Sequence, residues 1–466
     1  MRTIKVQELL AALKTHELAA FESYLLSPLF NKNTAVVYLY KILISEEGQK
    51  KIEDKKGLFK ILFPGKRYDD KQMRYLFSYL SGHLENFFVL RELDNDPQQS
   101  LLLLRKSLTE RKAPKAHSFA RYRFSQLNSE ESVSRYLLHY QSAELDHQVA
   151  ASRVRHADYL SILNNLDHFY FLRKLQLHCE LINLRNVFNK ETEMFLIDSI
   201  CELILRNNFF QSPIIEVYYE ILMVLSAEEK TGELHFKKVL ALINRHHDLF
   251  SVEDLNNAYQ YVKNFCIRLI NKGRDDYRMI LFDIYKTILS NKRLLNHGDF
   301  SPWEFKNIVT LGLRLHQEKW VKEFIRKTIH FLPSQERANA LTYNSAMLSF
   351  YQKNYRQTLK HLQEVEFTDL YYQLDSRSIL LKVYFETDDA ETMLHHISAF
   401  KIFIRRNKLV SAYQREIYLN FIRFTLKIFR AGTSLKKLQM VQTDIQQQAN
   451  ISDKSWLLEK IEELSQ

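Results

Sequence analysis

Apolar side chains recur at intervals of three and four residues along most of the chain, the spacing that gathers them on one face of an α-helix. After Leu255 the positions Ala258, Tyr259, Val262, Phe265 and Cys266 keep this interval, and Ile417, Phe421, Phe424 and Ile428 repeat it. Polar residues mark the ends. Ser301-Pro302-Trp303-Glu304 predicts a helix start, with a capping Ser, Pro at the first helical position and a Glu able to reach back. Ser27-Pro28 and Ser212-Pro213 carry the same first two elements, and Ser251 with Asp254 keeps the capping spacing. Stops are expected at Asn164-Asn165, Asn207-Asn208, Asn271-Lys272-Gly273 and Ala431-Gly432. These marks divide the chain into roughly twenty helices joined by short turns, a layout of antiparallel neighbours.

Composition sharpens the picture. Only 9 Gly and 7 Pro occur in 466 residues, where ordinary usage would give about 55 of the two together. Sheets need such residues at their turns, so the fold class expected is all-α. No two glycines lie closer than Gly57 and Gly65, which excludes G-x-G-x-x-G, G-x-S-x-G and the Walker loop. A hydrophobic content of 46% supplies a continuous core, and no Pro/Gly/Ser-rich linker separates blocks. One continuous array is expected, read as an N-terminal helical region over 1–126, a central array of helical pairs over 127–300 and C-terminal repeats over 301–466 with a closing helix at Trp456, Leu457, Ile461 and Leu464. The 31 Phe and 25 Tyr are read as filler between stacked helix pairs.

Candidate chemistry is sparse. Glu8, Lys14, Glu17 and Glu22 interrupt the apolar pattern of the first segment, against a signal peptide or a membrane span, so a cytoplasmic protein without membrane contact is expected. Cys179, Cys201 and Cys266 are too few and too far apart for a disulfide framework and read as core thiols. His246-His247 and His395-His396 are adjacent pairs whose side chains diverge by about 100° on a helix, so no metal site is expected. Asp69-Asp70, Asp275-Asp276 and Asp388-Asp389 fall at turns or first helical turns and read as caps. With no nucleophile at a fixed spacing from a base, neither catalytic residues nor cofactors are assigned.

Charge is unevenly spread over a net +11. Residues 401–437 hold ten Lys or Arg against the single acid Glu416, with Arg405 and Arg406 at one end and Arg423, Lys427 and Arg430 on one helical stripe. A second basic segment spans 105–123, and an acidic one spans 364–393. Such segregation suits phosphate neutralisation, docking of an acidic protein, or a solvated surface.

Between 338 and 400 a repeat of about 34 residues emerges. Tyr343, Asn344, Met347, Phe350, Tyr351, Asn354, Tyr355, Thr358, Leu359 and Leu362 alternate large and small residues around a polar turn, and Leu380, Val383, Tyr384, Asp388, Met393 and Ile397 repeat the layout. The stretch resembles the tetratricopeptide family, with Ala346 and Thr358 at the small positions of the two helices and Tyr355 at the turn aromatic. The family's Leu-Gly pair reads Ser345-Ala346 here, and no Pro closes the unit. The segments FESYLLSPLFNKN, LFPGKRYDDKQMRYLFSYLSGHLENFF and ILLKVYFETDD also resemble a group of large helical proteins of unassigned activity.

The tetratricopeptide resemblance implies a right-handed α-solenoid of antiparallel helix pairs, and a non-enzymatic scaffold or adaptor that binds a protein or peptide on a concave surface. On that layout Tyr343, Asn344, Met347, Tyr351, Arg377 and Leu381 would face the groove. The alternative expectation is a nucleic-acid-associated helical repeat using Arg405, Arg406, Arg423, Lys427 and Arg430 with the 105–123 segment.

Overall fold

Helix follows helix throughout the computed structural model, which describes residues 2–45, 54–127, 130–151, 159–188, 196–295, 300–365, 370–448 and 450–465. Among these residues there are 23 α-helices and no strand. The contacts gather into two compact units, Met1–Tyr219 with Asp248–Ser251, and Glu220–His247 with Val252–Gln466.

The first unit opens with α1 (Arg2–Ala11), α2 (Glu17–Leu26), α3 (Thr34–Ile44), α4 (Lys55–Leu62) and α5 (Asp70–Asn95). Asp69 caps α5 by accepting from the backbone N–H of Lys71 and Gln72. The long α5 then buries Met73, Leu76, Phe77, Leu80, Leu84 and Phe87 against α1 to α4. Phe21 meets Tyr40 and Phe87 edge-on, at centroid distances of 5.0 and 5.2 Å. Each ring so buried contributes about 2 kcal/mol or more.

After these come α6 (Pro97–Glu110), α7 (Pro114–Gln126), α8 (Val133–Ala151), α9 (Tyr159–Phe188) and α10 (Ile197–Arg206), each packed on its neighbour in the chain or, for α6, also on α8. Arg105 is wholly buried between α6 and α8, its guanidinium bonded to Ser142 and, at 2.7 Å, to Asp146. The first residue of the 105–123 basic segment is therefore a core residue with its own counterion.

Along α11 (Pro213–Ser226) the chain passes to the second unit. There follow α12 (Glu229–His246), α13 (Val252–Asn271), α14 (Asp276–Ser290), α15 (Pro302–Arg314), α16 (Glu318–Thr328), α17 (Arg337–Tyr351) and α18 (Tyr355–Glu364). The unit ends with α19 (Leu370–Glu386), α20 (Ala390–Arg406), α21 (Ala412–Ala431), α22 (Leu435–Gln447) and α23 (Lys454–Ser465). Here the packing has two interleaved orders. α15, α17, α19 and α21 touch in series, each alternate helix against the next, while each also packs against the helix that follows it in the chain. Gly312 permits the tightest of these approaches: a Cβ there would lie 2.6 Å from Val321 of α16 and 3.2 Å from the Phe282 ring of α14.

Several expected boundaries hold and others move. Ser301 caps α15 from its hydroxyl, but Glu304 pairs with Lys263 instead of reaching back. α10, α13 and α21 end where Asn207, Asn271 and Gly432 predict. Asn164-Asn165 does not stop α9, because the Asn165 amide donates to the Ser161 carbonyl one turn back, a bond that leaves the helix intact. Ser27-Pro28 ends α2 and makes only one turn, since Asn31 turns its side chain onto Leu25 and Asn33, and Asn33 then caps α3.

Candidate functional site: a charged cleft in the second unit

Three alternate helices each present one row of side chains to a common cleft of about 280 Å³. α15 supplies Lys306, Thr310 and Arg314, α17 supplies Tyr343, Met347 and Tyr351, and α19 supplies Asp375, Ser378 and Lys382. Residues four apart lie almost one above the other, so each row runs along its helix in steps of about 6 Å. Ser452 and Asp453, just before α23, complete the lining.

Two ion-pair groups fix the charged ends. Lys306 Nζ lies 2.5 Å from Asp375, which also accepts from the Tyr418 hydroxyl at 2.7 Å. The same ammonium stands 4.7 Å over the Trp303 ring, which stacks on Tyr372, and Tyr372 meets Tyr343 edge-on. Asp453 is held between Lys382, at 2.6 Å, and Arg314, at 2.9 Å. Burial pushes the Asp453 carboxyl upward, but Lys382 and Arg314 outweigh it and hold its pKa down at about 2. Lys382 is 6% exposed and lies between the rings of Phe350, Phe421 and Trp456.

The loop that carries Asp453 is itself pinned. Ser452 N–H donates to the Ile417 carbonyl and the Asn420 amide donates to the Asn450 carbonyl, both on α21 pairs. Asp453 has φ +50°, a left-handed conformation that Asp tolerates better than most residues. Beyond it, Trp456 donates to Glu386 and Lys460 pairs with the same carboxylate at 2.8 Å, fastening α23 to α19.

Of the six groove positions expected from sequence, Tyr343, Met347 and Tyr351 line this cleft. Asn344 is fully buried, with its amide on the Ala340 carbonyl, and Leu381 is fully buried as well. Arg377 turns the other way, its guanidinium 4.0 Å over Phe403 of α20 and bonded to the Gln373 carbonyl. On α19 the lining is one residue further on, at Ser378 and Lys382, which is a rotation of about 100°. Lys306, Arg314, Asp375, Lys382 and Asp453 were not singled out from sequence. The available signal was the polar row Lys306, Thr310, Arg314 on a helix whose buried positions Phe305, Ile308, Val309 and Leu313 are apolar, and charges set inside the apolar run of α19.

Arg405, Arg406, Arg423, Lys427 and Arg430 are all exposed, but they do not form one uniform group. Lys427 pairs with Asp444 at 2.6 Å and Arg423 reaches Gln448 while lying over Phe424. Arg405 and Arg406 occupy the last turn of α20, where cations complement the helix dipole. In the acidic segment, Asp389 caps α20 and Asp375 and Glu386 face inward; residues 366–369 lie outside the described residues. Among the described residues no cluster of His, Cys, Asp and Glu is placed to hold a metal ion, and no helix is long and apolar enough to cross a membrane.

Comparison with protein-family models, curated proteins and solved structures finds no match to the chain.

Proposed function

We propose that this chain is a non-enzymatic scaffold or adaptor, and that its second unit holds an extended segment of a protein partner across the cleft between α15, α17 and α19. The observation that carries this reading is the alternation just described: helices two apart in the chain pack side by side, and each turns a row of side chains toward the same space. Such stacking is what a tetratricopeptide-like, right-handed solenoid would place behind a concave binding surface. The lining offers charge, hydroxyls and the flexible Met347, a mixture suited to gripping backbone and side chains of a peptide.

The test is affinity purification of the tagged chain from its own cells at near-physiological salt, with and without nuclease. A defined protein partner that survives nuclease, and is lost on Tyr351→Ala or Met347→Glu in variants that still melt cooperatively, is the expected result. Copurifying nucleic acid that falls away steeply with salt would replace this reading with the alternative one. That alternative draws on Arg405, Arg406 and Arg430, exposed cations with no ion pair among the described residues.

A further inference from the structure

We infer that the outward face of α20 is an antiparallel docking surface for a second copy of this chain. The inference is independent of the cleft and of what the cleft holds.

α20 turns two stripes in opposite directions. Met393, Ile397, Phe400 and Ile404 are buried, where the helix packs on α19 and α21. On the far side, Glu391, Leu394, Ser398, Ile402 and Arg405 follow at steps of three and four residues, and at 100° per residue all fall within about 40° of Ser398. All five are exposed, Leu394 by 45% and Ile402 by 50%. Large aliphatics repeated along one narrow stripe, with charge only at its two ends, make a seam that packs on another helix.

The order of residues selects the occupant. Leu394 and Ile402 stand four residues either side of Ser398, and Glu391 and Arg405 stand seven either side. The stripe is thus alike in shape about its centre and opposite in charge. Laid antiparallel on a second α20, across a two-fold axis through Ser398, Leu394 meets the second copy's Ile402 and Glu391 meets its Arg405, and each contact occurs twice. In a parallel pair Glu391 would face Glu391 and Arg405 would face Arg405, like-charge contacts that reject that orientation. Asp388 and Lys408, both exposed, stand ten residues either side of Ser398 and extend the same order of charge beyond the helix ends.

These charges are available for pairing. Glu391, Arg405, Asp388 and Lys408 have no ion pair among the described residues, unlike Lys427, which is held by Asp444. The centre of the seam is small and already satisfied, since the Ser398 hydroxyl donates to the Leu394 carbonyl at 3.0 Å. Enclosing it costs no hydrogen bond, and its size lets two helix axes approach to about 8–10 Å. One helix of about 25 Å on each side makes a small interface, so the dimer is weak and reversible.

Sedimentation velocity of the full chain at physiological salt, from about 1 to 200 µM, covers the affinity such an interface gives. A reversible monomer–dimer equilibrium is expected. Glu391→Arg and Arg405→Glu should each weaken it about tenfold or more, and the two together should restore it, a recovery that damage to the fold would not produce. Register is tested by cross-linking. A short bismaleimide should join two copies of Ser398→Cys through the two-fold axis, whereas in Glu391→Cys the two sites lie about 21 Å apart along the antiparallel pair and should not be joined. The unsubstituted chain controls for its own three thiols. Should a charge reversal alter cooperative melting, the cross-linking pair decides. A chain that stays monomeric throughout would overturn the inference. So would a dimer indifferent to both charge reversals, a double variant no better than the single ones, or cross-linking through position 391 in preference to 398.

Discussion

Arg314 and Asp453 are 139 residues apart in the chain and 2.9 Å apart in space. Their pairing joins the end of α15 to the residue that precedes α23, and with Lys382 it makes Asp453 the point where three segments meet. All three tryptophans, Trp303, Trp320 and Trp456, belong to this unit, so fluorescence excited selectively at tryptophan follows its unfolding.

Asp453→Asn should therefore destabilise the second unit by about 3 kcal/mol, because it leaves Arg314 and the nearly buried Lys382 facing each other without a counterion. Urea unfolding followed by tryptophan fluorescence would show the midpoint fall with little change in slope.

Acid should act through the same residue. The Asp453 pKa is depressed in the folded state, from 3.8 to about 2, so its contribution is fully present above about pH 5 and is lost as the pH falls through 4 toward 2. Integrated, the shift amounts to about 2 kcal/mol. In Asp453→Asn the loss of stability between pH 5 and 2 should be smaller by that amount, and an unchanged acid profile would refute the assignment.

Gly312→Ala should destabilise despite alanine's better helix propensity. The gain of about 1 kcal/mol from propensity is set against a Cβ placed 2.6 Å from Val321 and 3.2 Å from Phe282, an overpacking that costs about 1 to 3 kcal/mol. The tryptophan signal is well placed to report it, since Trp320 packs on Phe282 at 4.7 Å.

Arg105→Ala tests the first unit. Removing this buried cation opens a void and takes from Asp146 its closest partner, leaving Arg121 at 3.3 Å. A loss of about 3 kcal/mol is expected, seen as faster amide hydrogen exchange in α6 and α8 with no change in tryptophan fluorescence.

Ser411→Ala removes one half of a reciprocal cap, in which Ser411 accepts from Gln414 N–H and the Gln414 side chain accepts from Ser411 N–H. The cost should be about 1 kcal/mol, read again from tryptophan fluorescence in urea.

Helical periodicity and local caps were legible because both depend on residues within one turn of each other. Ser301, Asn207 and Gly432 act on their own helix ends, and the structure places those ends accordingly. Asn164-Asn165 was misread because an amide can either end a helix or bond back into one, and Ser27-Pro28 because the Asn31 side chain closes a single turn there, a choice that lies in geometry that sequence does not hold. The cleft was half visible. The row Tyr343, Met347, Tyr351 is implied by the tetratricopeptide resemblance, whereas Lys306, Arg314 and Lys382 look like any solvated helix face until Asp375 and Asp453 are brought to them. Arg105 shows the converse, a residue read as surface charge that its partner Asp146, 41 positions on, draws into the core.

The dependence of the cleft on Asp453 also sets an order of events during synthesis. The rows on α15, α17 and α19 are complete once Lys382 has emerged from the ribosome, but their acidic clasp follows roughly seventy residues later. Through that interval Arg314 and Lys382 stand without the carboxylate that joins them, and a nascent chain at this stage carries a more basic cleft than the finished one. Long-range closure of this kind comes late and leaves the partly built surface open to other partners. The chain thus gains its final charge pattern only when α23 docks.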